Sequence, residues 1–257
     1  MRVPSLLLAS LVAAALAAPV LAPYAPDHLD LAHRREAPSQ AHRFGTDDLG
    51  RDVLTRVLYG ARVSLAVGLL SAAVAGASGI TIGGIAGYAG GTLDAVLMRG
   101  TDAMLAVPRL PLLMIAASVM QPSVPLLIVL IGMAGWMETA RVVRAEFQTL
   151  RTRGFVEGAR AAGASHGRLL AVHLLPNAAQ AVVVSLTLAI ARGILLESAL
   201  SFFGVGVQPP QASWGNMLYQ AQATLSTEPW LALAPGCFIL LTTLSVNMAG
   251  DRLARTR

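Results

Sequence analysis

The sequence predicts an all-α polytopic membrane protein with about six spanning helices, and three observations carry that prediction. The 257 residues are 55% hydrophobic and only 13% charged, with a mean hydropathy of +0.62; an ordinary soluble domain is about 25% charged. Several apolar runs approach or exceed the roughly 18 to 20 residues that cross a bilayer as helix. The basic residues, all 19 of them arginine, fall mostly between those runs.

Residues 5–22, "SLLLASLVAAALAAPVLA", form the first expected span, after Arg2 and before Pro23 and Pro26. The segment also has the look of a secretory signal, with small residues at Ala17 and Ala18. Further spans follow it, which favours an uncleaved anchor, and either reading exports residue 23 onward. Residues 23–62 form a charged first loop holding six arginines and six acids. Its later part places Leu49, Val53, Val57 and Leu58 at helical spacing, as in a helix lying at an interface. Residues 1–62 thus read as an anchor with an extracytoplasmic loop, and 63–257 as a five-helix core.

The second span covers about 64–87, where Gly79, Gly83 and Gly87 recur every fourth residue and make a flat face for close helix approach. Residues 88–102 read as a short polar turn. The third span covers about 103–121, entered through Pro108, and "QPSVP" marks the next loop. The fourth, about 124–137, runs without an evident helix breaker into "ETARVVRAEFQTLR". A polar segment, "FVEGARAAGASHGRLLAVHLLPN" (155–177), separates it from a fifth span at about 180–203. A loop containing "GVGVQPPQASWGNML" leads to the sixth, about 230–249.

With the N-terminus inside, the inner segments hold twelve arginines against six outside. The positive-inside bias therefore places both termini and residues 155–177 in the cytoplasm. In that segment, residues 154–162 are mostly good helix formers, Gly163 can take the left-handed conformation that ends a helix, and "SHGRLLAVHLL" starts another. Small residues keep the first helix low in profile. Glu157 and Arg160 remain for directional contacts at its rim.

Several function classes are excluded. A chain without lysine has no GxxxxGK[ST] phosphate loop and no lysine for Schiff-base chemistry, so ATP-derived energy must come from a partner. The formal charge of +5 lacks the interleaved aromatics of a nucleic-acid surface and reads as orienting charge. The single Cys237 permits no intrachain disulfide. No nucleophile, base and orienting acid are grouped, and no resident metal or cofactor is expected: His28, His33 and His42 lack metal-ligand spacing, as "GTDDLGRD" lacks that of a calcium loop. The acids there are better read as caps of the interfacial helix.

Glu157, Gly158, Ala159, Gly163, Leu175 and Pro176 fall on the pattern Glu-Ala-Ala, three residues, Gly, then a distant Leu-Pro. That pattern resembles the EAA signature of ABC importer membrane subunits. Gly158 replaces the usual alanine, and His173 stands where many members have isoleucine. "FGTDDLGRDVLTRVLYGARVSLAVG", "YAGGTLDAVLMRGTDAMLAVP" and "LESALSFFGVGVQPPQASWGNML" are each similar to segments of the dipeptide, oligopeptide and nickel permease subfamily, in its C-type subunit. The resemblance covers the chain from about residue 20 onward.

The resemblance implies a type I ABC importer permease fold, with residues of about 138–178 as the loop that couples to ATPase subunits. It also implies the partners: a homologous second permease, two cytoplasmic ATPases that use ATP and Mg, and an extracytoplasmic binding protein, all at the bacterial inner membrane. Peptides are the implied cargo, with nickel or a nickel chelate as the alternative. "VQPPQASWGNM" is then either a contact for the binding protein or a rigid connector. A secondary transporter driven by an ion gradient, or a membrane scaffold, shares the composition but does not account for the EAA spacing.

Two charges lie within the fifth span, Arg192 and Glu197. A central charge costs at least about 2.5 to 3.5 kcal/mol on insertion scales, so each is a candidate for lining a pathway. Five residues apart, they sit about 140° apart around a helix and do not pair directly. Arg192 can meet a substrate carboxylate or a partner charge.

Overall fold

A computed structural model describes residues 3–120 and 123–255. Arg2 and Arg257, used above for orientation, and Gln121 and Pro122 of the third loop lie outside these. The elements run α1 (Val3–Leu16), α2 (Ala18–Leu21), α3 (Val53–Ala89), α4 (Gly91–Ala106), α5 (Arg109–Val119), α6 (Val124–Met133), α7 (Trp136–Leu150), α8 (Gly154–Ala161), α9 (His166–Arg168), α10 (Leu175–Phe202), α11 (Trp214–Ala221) and α12 (Trp230–Arg255), with a π-helical turn at Leu169–Leu174 joining α9 to α10. The described residues form no strand.

Among the described residues, three helices are long and apolar enough to cross a membrane unbroken: α3, the continuous helix His166–Phe202, and Trp230–Ala254 of α12. Two more spans are bent pairs, α4 with α5 at 81° and α6 with α7 at 42°. The shorter α1 is the sixth apolar helix. Large apolar side chains such as Leu16, Val119 and Leu240 point outward, as suits lipid contact.

Five expectations need correction. The interfacial helix and the second span are one helix of 37 residues. It starts late, at Val53, because the Asp52 carboxylate caps it by accepting from Thr55 N at 2.7 Å, and nothing after that point breaks it. Leu49 stays outside, and Arg56 is buried 3.6 Å from Asp47 instead of facing a headgroup layer.

Residues 88–102 are not a turn. Gly90 and Gly91 take φ of 68° and 58° and reverse the chain within two residues, so α4 begins at once. Its polar residues are absorbed by pairing: Asp94 accepts from Arg144 Nη2 at 2.7 Å and from Gln148 Nε2 at 2.9 Å on α7.

The third span is not one helix entered through Pro108; it breaks at Val107–Pro108. Proline removes an N–H and restricts the residue before it, which ends α4. The fourth span likewise breaks, at Ala134 and Gly135, where no proline warned of it. The first span is interrupted at Ala17, two residues before Pro19.

Helix α3 is the spine, packed along α7, α10, α6 and α12. Its glycines set how closely these approach. A Cβ on Gly79 would lie 2.7 Å from Thr139 Cβ, one on Gly83 would run into Ala140 backbone, and one on Gly87 would lie 2.8 Å from Phe147 Cβ. The three glycines therefore share one face against α7. Toward the other end, Gly68 meets Ile194 and Gly193 meets Ser71, so α10 crosses α3 equally closely.

Candidate functional site

Residues 151–178 form a helix-turn-helix at one end of the bundle. Arg153 opens α8, and Gly163 ends it at φ 84°, donating to Arg160 O at 3.0 Å while Ala164 N donates to Ala159 O at 3.0 Å. The left-handed glycine thus satisfies carbonyls that the helix end leaves open. Ser165 then caps α9.

Val156 alone on α8 is fully buried, in a cluster with Val143 and Phe147 of α7 and with Leu169, Leu174, Ala178 and Val182. The rest of the helix is presented outward. Glu157, Gly158, Arg160 and Ala161 are exposed and Ala159 is half-buried. A Cβ added at Gly158 or Gly163 would meet nothing within 4 Å. Beside them opens a cleft of about 760 Å³ lined by Tyr88, Arg151, Glu157, Arg160 and His166.

Two contacts tie this element to the spine. Tyr88 Oη and His166 Nδ1 lie 2.5 Å apart, and Arg151 donates to Tyr88 O at 3.2 Å. Neither Tyr88 nor Arg151 stood out in the sequence. Tyr88 belongs to a segment distant from the 155–177 run and is brought to it by the α3–α7 packing, whereas Arg151 lies only four residues before that run.

Pro176 sits inside the continuous helix His166–Phe202 without ending it. The π-helical turn just before it widens the ladder: Leu175 N bonds to Leu170 O, five residues back, and His173 O accepts from Asn177 Nδ2 at 2.6 Å. A ring that would collide with the carbonyl four residues earlier in an α-helix is accommodated there. Leu175 packs against the same cluster as Val156.

Glu197 does not line an open path in this chain. It is fully buried, with Oε2 accepting from Ser64 Oγ at 2.9 Å and Oε1 from Ser201 Oγ at 2.8 Å. Ser64 Oγ also accepts from Trp214 N, and Ser201 Oγ from Val207 N. One carboxylate therefore ties α3 and α10 to the loop that leads into α11. Within that loop Ser213 and Asn216 form a reciprocal capping box, and Trp214, fully buried, donates to Val57 O at 3.1 Å. The loop is thus pinned at Ser213 and Trp214, while residues 208–211 stay exposed.

Arg192 instead remains partly exposed, with Nη1 3.2 Å from Glu138 Oε1. The same oxygen accepts from Arg109. Neither Arg109 nor Glu138 was singled out in the sequence, because each reads there as a charge flanking a span.

In the first loop His33 and His42 turn to carboxylates, Asp30 at 2.7 Å and Asp52 at 3.0 Å. The hydrogen bond that Asp30 accepts raises the pKa of His33 above its ordinary value and lowers that of Asp30. Among the described residues no group of three or more His, Cys, Asp or Glu is placed to hold a metal ion.

Comparisons with known proteins agree with this architecture. Residues 79–257 match the family described as binding-protein-dependent transport system inner membrane component. The chain is 42% identical over 249 residues to a Brucella suis biovar 1 (strain 1330) protein provisionally named a peptide permease, covering 96% of this chain and 82% of that one. It is 38% identical over 236 residues to the dipeptide transport system permease protein DppC of Bacillus subtilis (strain 168), covering 91% and 74%. A chain of the MetNI methionine ABC transporter, solved in inward-facing conformations, shares the fold at a TM-score of 0.65 and 20% identity over 79% of this chain and 98% of that one. With 179 of its 257 residues inside the family match and apolar helices that cross the membrane several times, the chain is a multi-pass membrane protein of the binding-protein-dependent transport system inner membrane component family.

Proposed function

We propose that the chain is a permease subunit of an ATP-driven peptide importer, with α8 as the element through which partner ATPases move the spans. Relatives named for peptide and dipeptide transport support the cargo. The observation that carries the coupling role is the mechanical placement of α8. It is exposed, small in profile and without internal contacts on its outer face, yet anchored through Val156 to both helices that flank it.

A push on such a helix has two direct outputs. One runs through the three-residue link 151–153 into α7, and the other through the π-helical turn into α10. At about 1.5 Å per residue, the 37-residue helix His166–Phe202 is roughly 55 Å long, well beyond the roughly 30 Å hydrocarbon layer. Its cytoplasmic end therefore projects as a lever. Because α7 and α10 both lie on α3 at backbone distance, the three helices tilt together, which suits a rigid-body alternating-access change.

The full assembly in this reading contains a second, homologous permease, two cytoplasmic ATPases that bind ATP and Mg, and an extracytoplasmic binding protein. Both termini of this chain are cytoplasmic, and it performs no covalent chemistry itself. The test is uptake of radiolabelled di- and tripeptides by cells with and without the gene. Deletion should abolish uptake of at least one peptide class, as should inactivating the partner ATPase. Peptide uptake that persists without the chain, or that survives loss of the ATPase, would contradict the proposal, as would a deletion that removes only nickel uptake.

A further inference from the structure

Three charged side chains from three different spans converge within the bundle. Arg109 is the first residue of α5, directly after the 81° break, and Glu138 lies in the first turn of α7, directly after the 42° break. Arg192 faces them from α10. Glu138 Oε1 accepts from Arg109 and lies 3.2 Å from Arg192 Nη1, while Glu138 Oε2 is buried with no hydrogen-bond partner. Two cations on one carboxylate leave the group with one net positive charge.

The placement of that charge is informative. The Arg192 side chain is 39% exposed and opens, with Glu138, onto a groove of about 390 Å³ between α7, α10 and α12. Glu146, Gln180 and Ser185 give the groove polar points, and Val142 and Leu188 give it apolar ones. A guanidinium left this open is not compatible with lipid tails, and interrupted helices at membrane depth persist only against protein or a water-filled cavity. Discontinuous helices form the substrate sites of many secondary transporters, and here the breaks before α5 and α7 bring Arg109 and Glu138 beside Arg192 of the unbroken α10.

We propose that this groove is this chain's wall of the translocation pathway and that Arg192 contacts the carboxylate of the cargo, with Arg109 and Glu138 as positioning residues. The proposal rests on the peptide reading for the identity of the carboxylate. A guanidinium has five N–H donors, and the contact with Glu138 occupies one at Nη1, so a planar carboxylate can still be met side-on. Glu138 and Arg109 hold the side chain at the mouth of the groove instead of folded against its own helix. A single cationic contact is strong enough to orient a peptide and weak enough to release it.

The test compares tri-alanine with its C-terminal amide in the complete transporter carrying Arg192→Gln or Arg192→Lys. In Arg192→Gln the KM for tri-alanine should rise about tenfold, the KM for the amide should stay within twofold of wild type, and Arg192→Lys should restore most of the loss. Equal changes for acid and amide, or no change for either, would overturn the role of Arg192.

A second measurement does not need an Arg192 variant to fold. In a Cys237→Ala chain, Leu188→Cys should react with a membrane-impermeant cationic methanethiosulfonate in the nucleotide-free complex, and tri-alanine with the binding protein should slow the reaction at least threefold. Absence of labelling in both the nucleotide-free and the ATP-bound complex would remove the groove from the pathway. If wild-type transporter carries no peptide, the peptide reading fails by itself, and the labelling still decides whether the groove is wet.

Discussion

Replacing Gly83 by valine is expected to cost the folded chain about 3 kcal/mol and to remove most assembled transporter from the membrane. A Cβ at this position would run into the backbone of Ala140, with C and Cα both 2.8 Å away. Backbone cannot rotate aside as a side chain does. Helices α3 and α7 must therefore separate, and the same displacement opens the contacts at Gly79 and Gly87. Overpacking a tight core typically costs about 1 to 3 kcal/mol, and a backbone collision lies at the upper end. Thermal unfolding in detergent measures it. Gly100→Ala on α4 is the control: nothing lies within 4 Å of the added carbon, and alanine favours helix by up to about 1 kcal/mol. Equal behaviour of the two variants would mean that the glycine face does not set the α3–α7 distance.

At Gly163 the expected effect is on coupling, and it depends on conformation alone. With φ at 84° and nothing within 4 Å of an added Cβ, valine has room at its branch point but must leave the left-handed region. The cost of holding it there is about 1 to 2 kcal/mol, enough to favour a different exit from α8 and to point α9 elsewhere. Asparagine tolerates that region, so Gly163→Asn should keep uptake within about threefold of wild type. Gly163→Val should lose at least tenfold while ATP hydrolysis by the complex continues. Peptide uptake and phosphate release, read in the same proteoliposomes, separate the two. Equal loss in both variants would point to crowding by a side chain rather than to the turn.

What could be read from the sequence follows from how local each feature is. The Gly163 turn, the Asp52 cap and the face of Gly79, Gly83 and Gly87 depend on neighbours a few residues away, and spacing alone reveals them. The Gly90–Gly91 reversal was hidden because "GGTLDAVLMRGTD" carries too much charge to look like a span until Asp94 is seen against Arg144. The breaks at residues 107–108 and 134–135 are decided by tertiary packing as much as by Pro108. For the same reason the convergence of Arg109, Glu138 and Arg192 was out of reach: sequence separations of 29 and 54 residues carry no signal of contact. Glu197 shows the opposite error. Its presence in a span suggested a pathway, whereas the bonds from Ser64 and Ser201 and a capped loop make it an internal tie.

The central claim is that α8 seats in another protein, and Gly158 tests it most directly. The position is exposed, and a Cβ added there has no neighbouring atom within 4 Å. Gly158→Trp should therefore insert and melt like wild type. Measured in proteoliposomes with the complete complex, its peptide uptake should fall at least tenfold, with the ATPase either lost from the purified complex or hydrolysing ATP without transport. Uptake equal to wild type, with the tryptophan in place and the complex intact, would contradict the account.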